Sequence, residues 1–238
     1  MTERLAAYAK QLFNLALSAE QQAQFAQYAA ELEAWNKSRA NLTAITGIEA
    51  IEIRHFLDSL SILSVVDVPH GARLIDVGTG GGFPGVPLRI ARPDLRLALL
   101  EATAKKIAFL QHLARVLALG DVQFLNARAE EAGHQPDQRE RYDVVVARAV
   151  AYLPILVEYL LPLARLGGQC IAMKGESAER EVAEAANALR ILGGRVARIE
   201  TIRLPEVAEP HYLVIIDKIA QTPHHYPRKP GIPAKKPL

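Results

Sequence analysis

Cysteine is nearly absent: Cys170 is the one thiol in 238 residues. No internal disulfide is possible, and the apolar run at 169–173 around Cys170 predicts a buried strand in a reducing, cytoplasmic setting. A long uninterrupted apolar stretch is also missing. The chain opens with Thr2, Glu3 and Arg4, and its most hydrophobic later stretch is cut by Arg148, Pro154, Glu158 and Pro162, so neither a secretion signal nor a membrane span is expected. No internal repeat is visible. Charge of one sign is not in excess, the net value being +2, but it is unevenly placed. Residues 222–238 hold Arg228, Lys229, Lys235 and Lys236 and no acid, which leaves −2 for the remainder. This proline-rich tail is expected to stay out of helices. It suits contact along a phosphate backbone, and a solvated terminus that binds nothing is the other reading.

What is present is alternation. Leu5, Tyr8, Leu12, Phe13 and Leu15, then Phe25, Tyr28, Leu32 and Trp35, recur at spacings near three and four, which predicts helix from 3 to about 37. Ser18 and Gln21 form a possible capping box between the two groups. A further helix is predicted over 48–66. From Arg73 onward, strands at 73–78, 95–101, 121–126, 142–147 and 169–174 alternate with helices at 85–92, 103–118, 152–165 and 176–192, with only a short loop before the fourth strand. Strands near 195–203 and 211–219 follow with no helix between them and read as a hairpin. The expected fold is α/β: a Rossmann-like, seven-stranded, mostly parallel sheet with an antiparallel C-terminal hairpin, as in S-adenosylmethionine-dependent methyltransferases. The expected division is a helical N-terminal extension at 1–66, the Rossmann-like domain at 67–221 and the basic tail at 222–238.

The segment from Asp76 to Gly85 reads as a strand end, a glycine-rich turn and a helix start, the mark of a nucleotide-cofactor site. Gly80, Gly82 and Gly85 satisfy the dinucleotide pattern, which leaves Gly78 and Gly81 unexplained. The frame Asp76-x-Gly78-x-Gly80 accounts for more of the residues. A carboxylate at the strand end repels a pyrophosphate but suits the amino group and sulfonium of S-adenosylmethionine. Glu101, at the end of the second strand, reads either as an acceptor for both ribose hydroxyls or as a first-turn helix acid. After the third strand, Ala129 and Glu130 read either as a bracket for adenine or as a solvated helix start.

Arg148 follows the apolar fourth strand directly, at the rim where the fold places its reacting groups. Its bland reading is a structural ion pair. The Asn/Asp-Pro-Pro-aromatic pattern of enzymes that methylate exocyclic amines is absent there, which points to a nitrogen that needs no help in losing a proton. Guanine N7 is such a nitrogen. Positioning alone can then carry much of the catalysis, with Arg148 on the cofactor, on O6 or on a phosphate.

These residues resemble the bacterial 16S (small-subunit) ribosomal RNA guanine-N7 methyltransferases, the glucose-inhibited division protein B family, also called small-subunit rRNA methyltransferase G. The resembling segments are 41–45, 54–59, 76–85, Arg148-Ala149, Met173-Lys174-Gly175 and 226–231. The resemblance implies methyl transfer from S-adenosylmethionine to N7 of a guanine in 16S rRNA or the small ribosomal subunit, in the cytoplasm, without metal or membrane. It implies cofactor positions at Gly78, Phe83, Ala129, Glu130 and Arg148, beside Asp76, Gly80 and Glu101. Phe83 is often Leu in relatives, so an apolar wall is its expected role. Arg54, His55, Asp58 and Lys174 are candidates beside the guanine, although Arg54 and Asp58 also suit a plain i, i+4 pair. Asn41 and the tail cations Arg228, Lys229, Lys235 and Lys236 are expected RNA contacts, so deletion of 222–238 is expected to weaken RNA binding and spare the cofactor. His211 reads first as a structural histidine. The competing functions are an NAD-dependent oxidoreductase and a non-catalytic RNA-binding or ribosome-assembly protein.

Overall fold

The structure, a computed structural model, describes residues 2–38 and 42–238. Among them a seven-stranded sheet runs in the order β3-β2-β1-β4-β5-β7-β6. The strands are β1 (Arg73–Val77), β2 (Arg96–Leu100), β3 (Val122–Leu125), β4 (Tyr142–Arg148), β5 (Ala164–Lys174), β6 (Gly194–Ile202) and β7 (His211–Lys218). The first five pair in parallel, and β7 pairs antiparallel with both β5 and β6, as the missing helix between the last two strands predicts.

Runs such as Val144-Val145-Val146-Ala147 are buried on both sides because successive side chains enter opposite layers. Val144, Val146, Ile171 and Leu213 join one apolar layer with Leu5, Phe25, Leu32 and Phe56 of the N-terminal helices. Val145, Ala147, Cys170 and Val214 join the other with Leu153, Leu156, Leu189 and Leu192. Burial pushes the Cys170 thiol up to about 12, so it stays protonated within the layer.

The N-terminal segment therefore covers one face of the sheet. Its helices Glu3–Phe13 and Ala19–Ser38 meet at the capping box, where the Ser18 N–H donates to Gln21 Oε1 (2.8 Å) and the Gln21 N–H to Ser18 Oγ (3.2 Å). The helix expected over 48–66 is not uniform. Ile48–Ile51 and Asp58–Leu60 are α-helical, but Glu52–Leu57 between them is a π-helix, a wider turn that periodicity does not disclose and that is frequent at functional sites. The loop expected before β4 contains the short helix Ala129–Ala132, and the helix expected over 176–192 is split into Ala178–Glu184 and Ala186–Leu192. The tail also departs from expectation, with one helical turn at Ile232–Lys235. No helix of the described residues is long and apolar enough to cross a membrane.

Candidate active site at the carboxyl edge of the sheet

The strand order reverses between β1 and β4, and the carboxyl ends of these neighbours border a crevice where ligands of such sheets lie. A cavity of about 480 Å³ there is lined by Gly78, Gly80 and Phe83 of the turn and by Arg54, His55 and Arg148. A second, of about 280 Å³, lies beyond β4 and β5 and reaches Val150, Met173 and Lys174. Asp58, Arg148, Ala149 and His211 line both and form the wall between them.

The turn is built around a buried acid. Asp76 is fully buried, and its Oδ2 accepts hydrogen bonds from the Thr79 hydroxyl (2.6 Å) and the Gly85 N–H (2.8 Å). Gly85 must be glycine for this to fit, since a Cβ there would lie 2.8 Å from that of Asp76. Burial pushes the Asp76 carboxyl up to about 6 despite those donors, and Oδ1 has no partner. Asp76 thus lies beneath the turn and locks it through Oδ2. Gly78 has φ +68°, and a Cβ on it would come within 2.7 Å of Val150, so the turn and the loop after β4 touch at van der Waals distance.

Tyr28 supports the same turn from the N-terminal helices. Its buried hydroxyl donates to the Gly81 carbonyl (2.5 Å), and its ring stacks on Phe83 at 5.2 Å between centroids. Phe83 is thus more than an apolar wall. The His55 ring stacks on it at 4.3 Å, and the Arg148 guanidinium lies 4.9 Å from its centroid.

Glu101 serves as the acid at the next helix start and also reaches the glycine turn. Oε1 accepts the Thr103 N–H (2.8 Å) at the next helix start, and Oε2 accepts the Gly80 N–H (3.2 Å) while the Lys106 ammonium stands 3.7 Å away. Ala129 and Glu130 begin the helix after β3, outside the lining of the larger cavity. Glu130 is buried, and its Oε1 accepts the Gly231 N–H (3.1 Å), so that oxygen faces the C-terminal tail.

The dividing wall is a hydrogen-bonded chain. Arg148 donates to Asp58 Oδ2 (2.9 Å), to the Arg54 carbonyl (3.1 Å) and to His55 Nδ1 (2.9 Å). Because Nδ1 of His55 accepts, its proton sits on Nε2 and is donated to Thr43 Oγ1 (2.7 Å). Burial and the neighbouring Arg148 charge lower the His55 pKa to about 3, so the ring is neutral. Asp58 Oδ1 accepts from His211 Nδ1 (2.8 Å), which raises the His211 pKa. The expected Arg54–Asp58 ion pair does not form; the Asp58 carboxylate goes to Arg148 and His211, and the Arg54 side chain is exposed. Lys174 reaches the second cavity, but its ammonium is bound to Glu181 (2.7 Å) and the Ala151 carbonyl (2.6 Å).

The tail does not extend freely. Arg228 grips the fully buried Glu158 carboxylate through its backbone N–H (2.7 Å) and two guanidinium nitrogens, Nε (3.0 Å) and NH2 (2.6 Å). Arg139 donates to the carbonyls of Tyr226 (2.7 Å) and Thr222 (2.7 Å), and His134 bonds the Pro227 carbonyl (2.6 Å). Arg228 as a free RNA-binding cation is therefore corrected, because its charge is committed inside the protein. Lys229, Lys235 and Lys236 are exposed, and Asn41 lies outside the described residues. Periodicity marked Tyr28 only as a core position, and Thr43 and Glu158 carried no site signal. For Glu158 the available signal was one acid amid the apolar helix Leu153–Leu160, which demands a cation. Among the described residues no group of three or more His, Cys, Asp or Glu is placed to hold a metal ion.

Comparisons with known proteins agree with this geometry. The family model for GidB, rRNA small subunit methyltransferase G, matches residues 21–208. A ribosomal RNA small subunit methyltransferase G from Roseiflexus sp. (strain RS-1) is 53% identical over 95% of both chains, and one from Pelotomaculum thermopropionicum is 47% identical over 94% of this chain and 93% of the relative. An S-adenosylmethionine-dependent O-methyltransferase structure from Thermotoga maritima superposes with a TM-score of 0.56 at 17% identity, covering 82% of this chain and 72% of that one, a likeness of fold. The chain belongs to the GidB family of small-subunit ribosomal RNA methyltransferases G.

Proposed function

We propose that this chain transfers the methyl group of S-adenosylmethionine to N7 of one guanine in 16S ribosomal RNA. Family membership supports the donor and the RNA class. The single observation that carries the N7 choice is the wall between the two cavities. His55 is neutral with both ring nitrogens engaged, Asp58 accepts from Arg148 and His211, and Arg148 is held by three acceptors. None of these three groups stands ready to take a proton from an exocyclic amine, and the fourth polar member of the wall, His211, is tied through Nδ1 to Asp58. N7 presents an in-plane lone pair and has no proton to give up, so a site that positions and does not deprotonate is sufficient.

The residues present fit the cofactor. The turn at Gly78, Gly80 and Gly82 adopts positive φ throughout, and the Glu101 carboxylate stands at the end of β2 beside the Gly80 N–H. When bound, S-adenosylmethionine supplies a sulfonium-activated methyl that the N7 lone pair takes directly. Gly78, Gly80 and Phe83 would hold its amino-acid end, Glu101 its ribose, and the Ala129–Glu130 start of the short helix its adenine. Buried Asp76 and Tyr28 keep the turn in one shape, and Arg148 fixes the wall opposite. A dinucleotide oxidoreductase is disfavoured by the β5–β7–β6 antiparallel edge and the acid under the turn.

Exposed Arg54, Lys229, Lys235 and Lys236 supply the positive charge for RNA phosphates, which makes RNA affinity fall as salt rises. Paired calorimetric titrations with S-adenosylmethionine and NADH, followed by labelled methyl transfer to small subunits lacking the modification, test the proposal. Micromolar binding of the methyl donor and label in the RNA are expected. Binding of NADH alone, or unlabelled RNA, overturns it.

A further inference from the structure

His211 lines both cavities at their junction. It opens β7, and Ile202 of β6 is its partner there. Nδ1 is held by Asp58 at 2.8 Å, while Nε2, across the ring, has no hydrogen-bond partner among the described residues. The second cavity, at about 280 Å³, is at the small end of ligand sites (roughly 300–1,000 Å³) and suits a base more than a whole cofactor. Its apolar walls, Val150, Leu156 and Met173, offer surface to the faces of a flat ring.

We infer that the second cavity receives the acceptor guanine and that His211 orients it, donating a hydrogen bond from Nε2 to guanine O6 while Asp58 holds Nδ1. The inference rests on the N7 reading and names the residue that sets the acceptor's orientation. Guanine presents N7 and O6 side by side as acceptors on one edge. N7 must keep its lone pair free to attack, so the orienting donor belongs on O6. The donor also has to be protonated. Asp58 only accepts, so the Nδ1 proton is fixed toward it, and a neutral ring would turn a lone pair at Nε2 toward O6. Doubly protonated His211 presents N–H at both nitrogens.

The charged surroundings keep that form accessible. Asp58 lies directly against the ring and raises the His211 pKa, and Arg148 and Arg54 oppose it more weakly. Glu209 and Lys106 line the larger cavity, Lys174 of β5 is neutralised by Glu181, and His55 is uncharged. The Asp58 carboxylate also offsets the imidazolium charge, which would otherwise oppose the positive charge that develops on the base. Ala149, at φ +56° between Arg148 and Val150, turns the chain at the lip shared by both cavities, so the two lie side by side.

The test is kcat/KM against pH on unmodified small subunits, with the methylated position mapped in each case, for the wild type, His211→Gln and His211→Ala. Expected for the wild type is a constant value at low pH and a tenfold fall per pH unit above a pKa higher than 6.5. His211→Gln, whose amide keeps a donor without titrating, should remain within about tenfold and lose that limb. His211→Ala should lose about thirtyfold or more in kcat/KM with S-adenosylmethionine affinity unchanged. Retention of the limb in His211→Gln, or near-wild-type activity of His211→Ala, overturns the inference while methyl at N7 leaves the proposed function standing. A methyl mapped to another atom overturns both, independently of the pH profile.

Discussion

The proposed donor and acceptor halves of the crevice are built in opposite ways. On the donor side, Asp76, Thr79 and Gly85 bond one another within a single short segment, and the contacts of the turn follow from local sequence. On the acceptor side, Asp58, Arg148 and His211 meet across 90 and 153 residues of chain. The donor site is a local motif with long-range support from Tyr28, whereas the acceptor wall exists only once the N-terminal helices, β4 and β7 have packed. Donor binding should therefore be sensitive to backbone shape, and acceptor function to side-chain charge.

The largest expected effect tests that contrast at the turn. Gly78→Val combines a left-handed backbone with a collision against Val150, roughly 3 kcal/mol or more. Titration calorimetry should show S-adenosylmethionine affinity reduced at least a hundredfold, while small-subunit binding changes less than threefold. Equal losses of both would erase the division between the halves.

The tail comes next. Arg228→Ala leaves Glu158 charged, buried and unpaired, at a cost of roughly 3 kcal/mol in urea unfolding. Through Gly231 and Glu130 the tail is tied to the proposed donor side, so deletion of 222–238 should weaken cofactor binding as well as RNA binding, in contrast to the outcome expected from the resemblance. Unchanged cofactor affinity after deletion would restore the free-arm reading.

A smaller effect is expected at Tyr28→Phe, which removes one hydrogen bond to Gly81 and leaves a buried carbonyl unpaired. About 1 kcal/mol, or a fivefold loss of donor affinity, should appear in the titration, with RNA binding unaffected.

Titration separates the halves by sign. His55, lowered to about 3 in the fold, contributes stability that is complete above the unfolded value near 6.5 and is lost as pH falls. Asp76, raised to about 6, contributes stability that is complete below its unfolded value of 3.8 and is lost as pH rises toward 6. Between pH 6 and 4 the stability difference between wild type and His55→Gln should therefore shrink on acidification. That between wild type and Asp76→Asn should move the other way, each by up to about 1.4 kcal/mol per pH unit. Parallel slopes would contradict the assignment.

The same division explains what was legible in the sequence. Doubly buried strands, glycine punctuation and the missing helix before β7 are local signals, and they yielded the sheet and its hairpin. Gly78 and Gly80 were placed at the cavity for the same reason, whereas Phe83 was placed there by the family resemblance. The π-turn at Glu52–Leu57 was hidden because one extra residue per turn leaves the apolar spacing almost intact. The docking of the tail was hidden because Arg228 and Glu158 lie 70 residues apart, and a cation reads alike whether it faces phosphate or a buried carboxylate. Arg148 was recognised as a rim charge, but its partners come from the N-terminal helices and no spacing rule connects them.

The central claim is tested most directly by incubating the enzyme with labelled S-adenosylmethionine and small ribosomal subunits lacking the modification, then cleaving the RNA chemically at 7-methylguanosine. The account predicts label in 16S rRNA and a single new cleavage at one guanine. Label that resists this cleavage, or RNA that stays unlabelled, would contradict it.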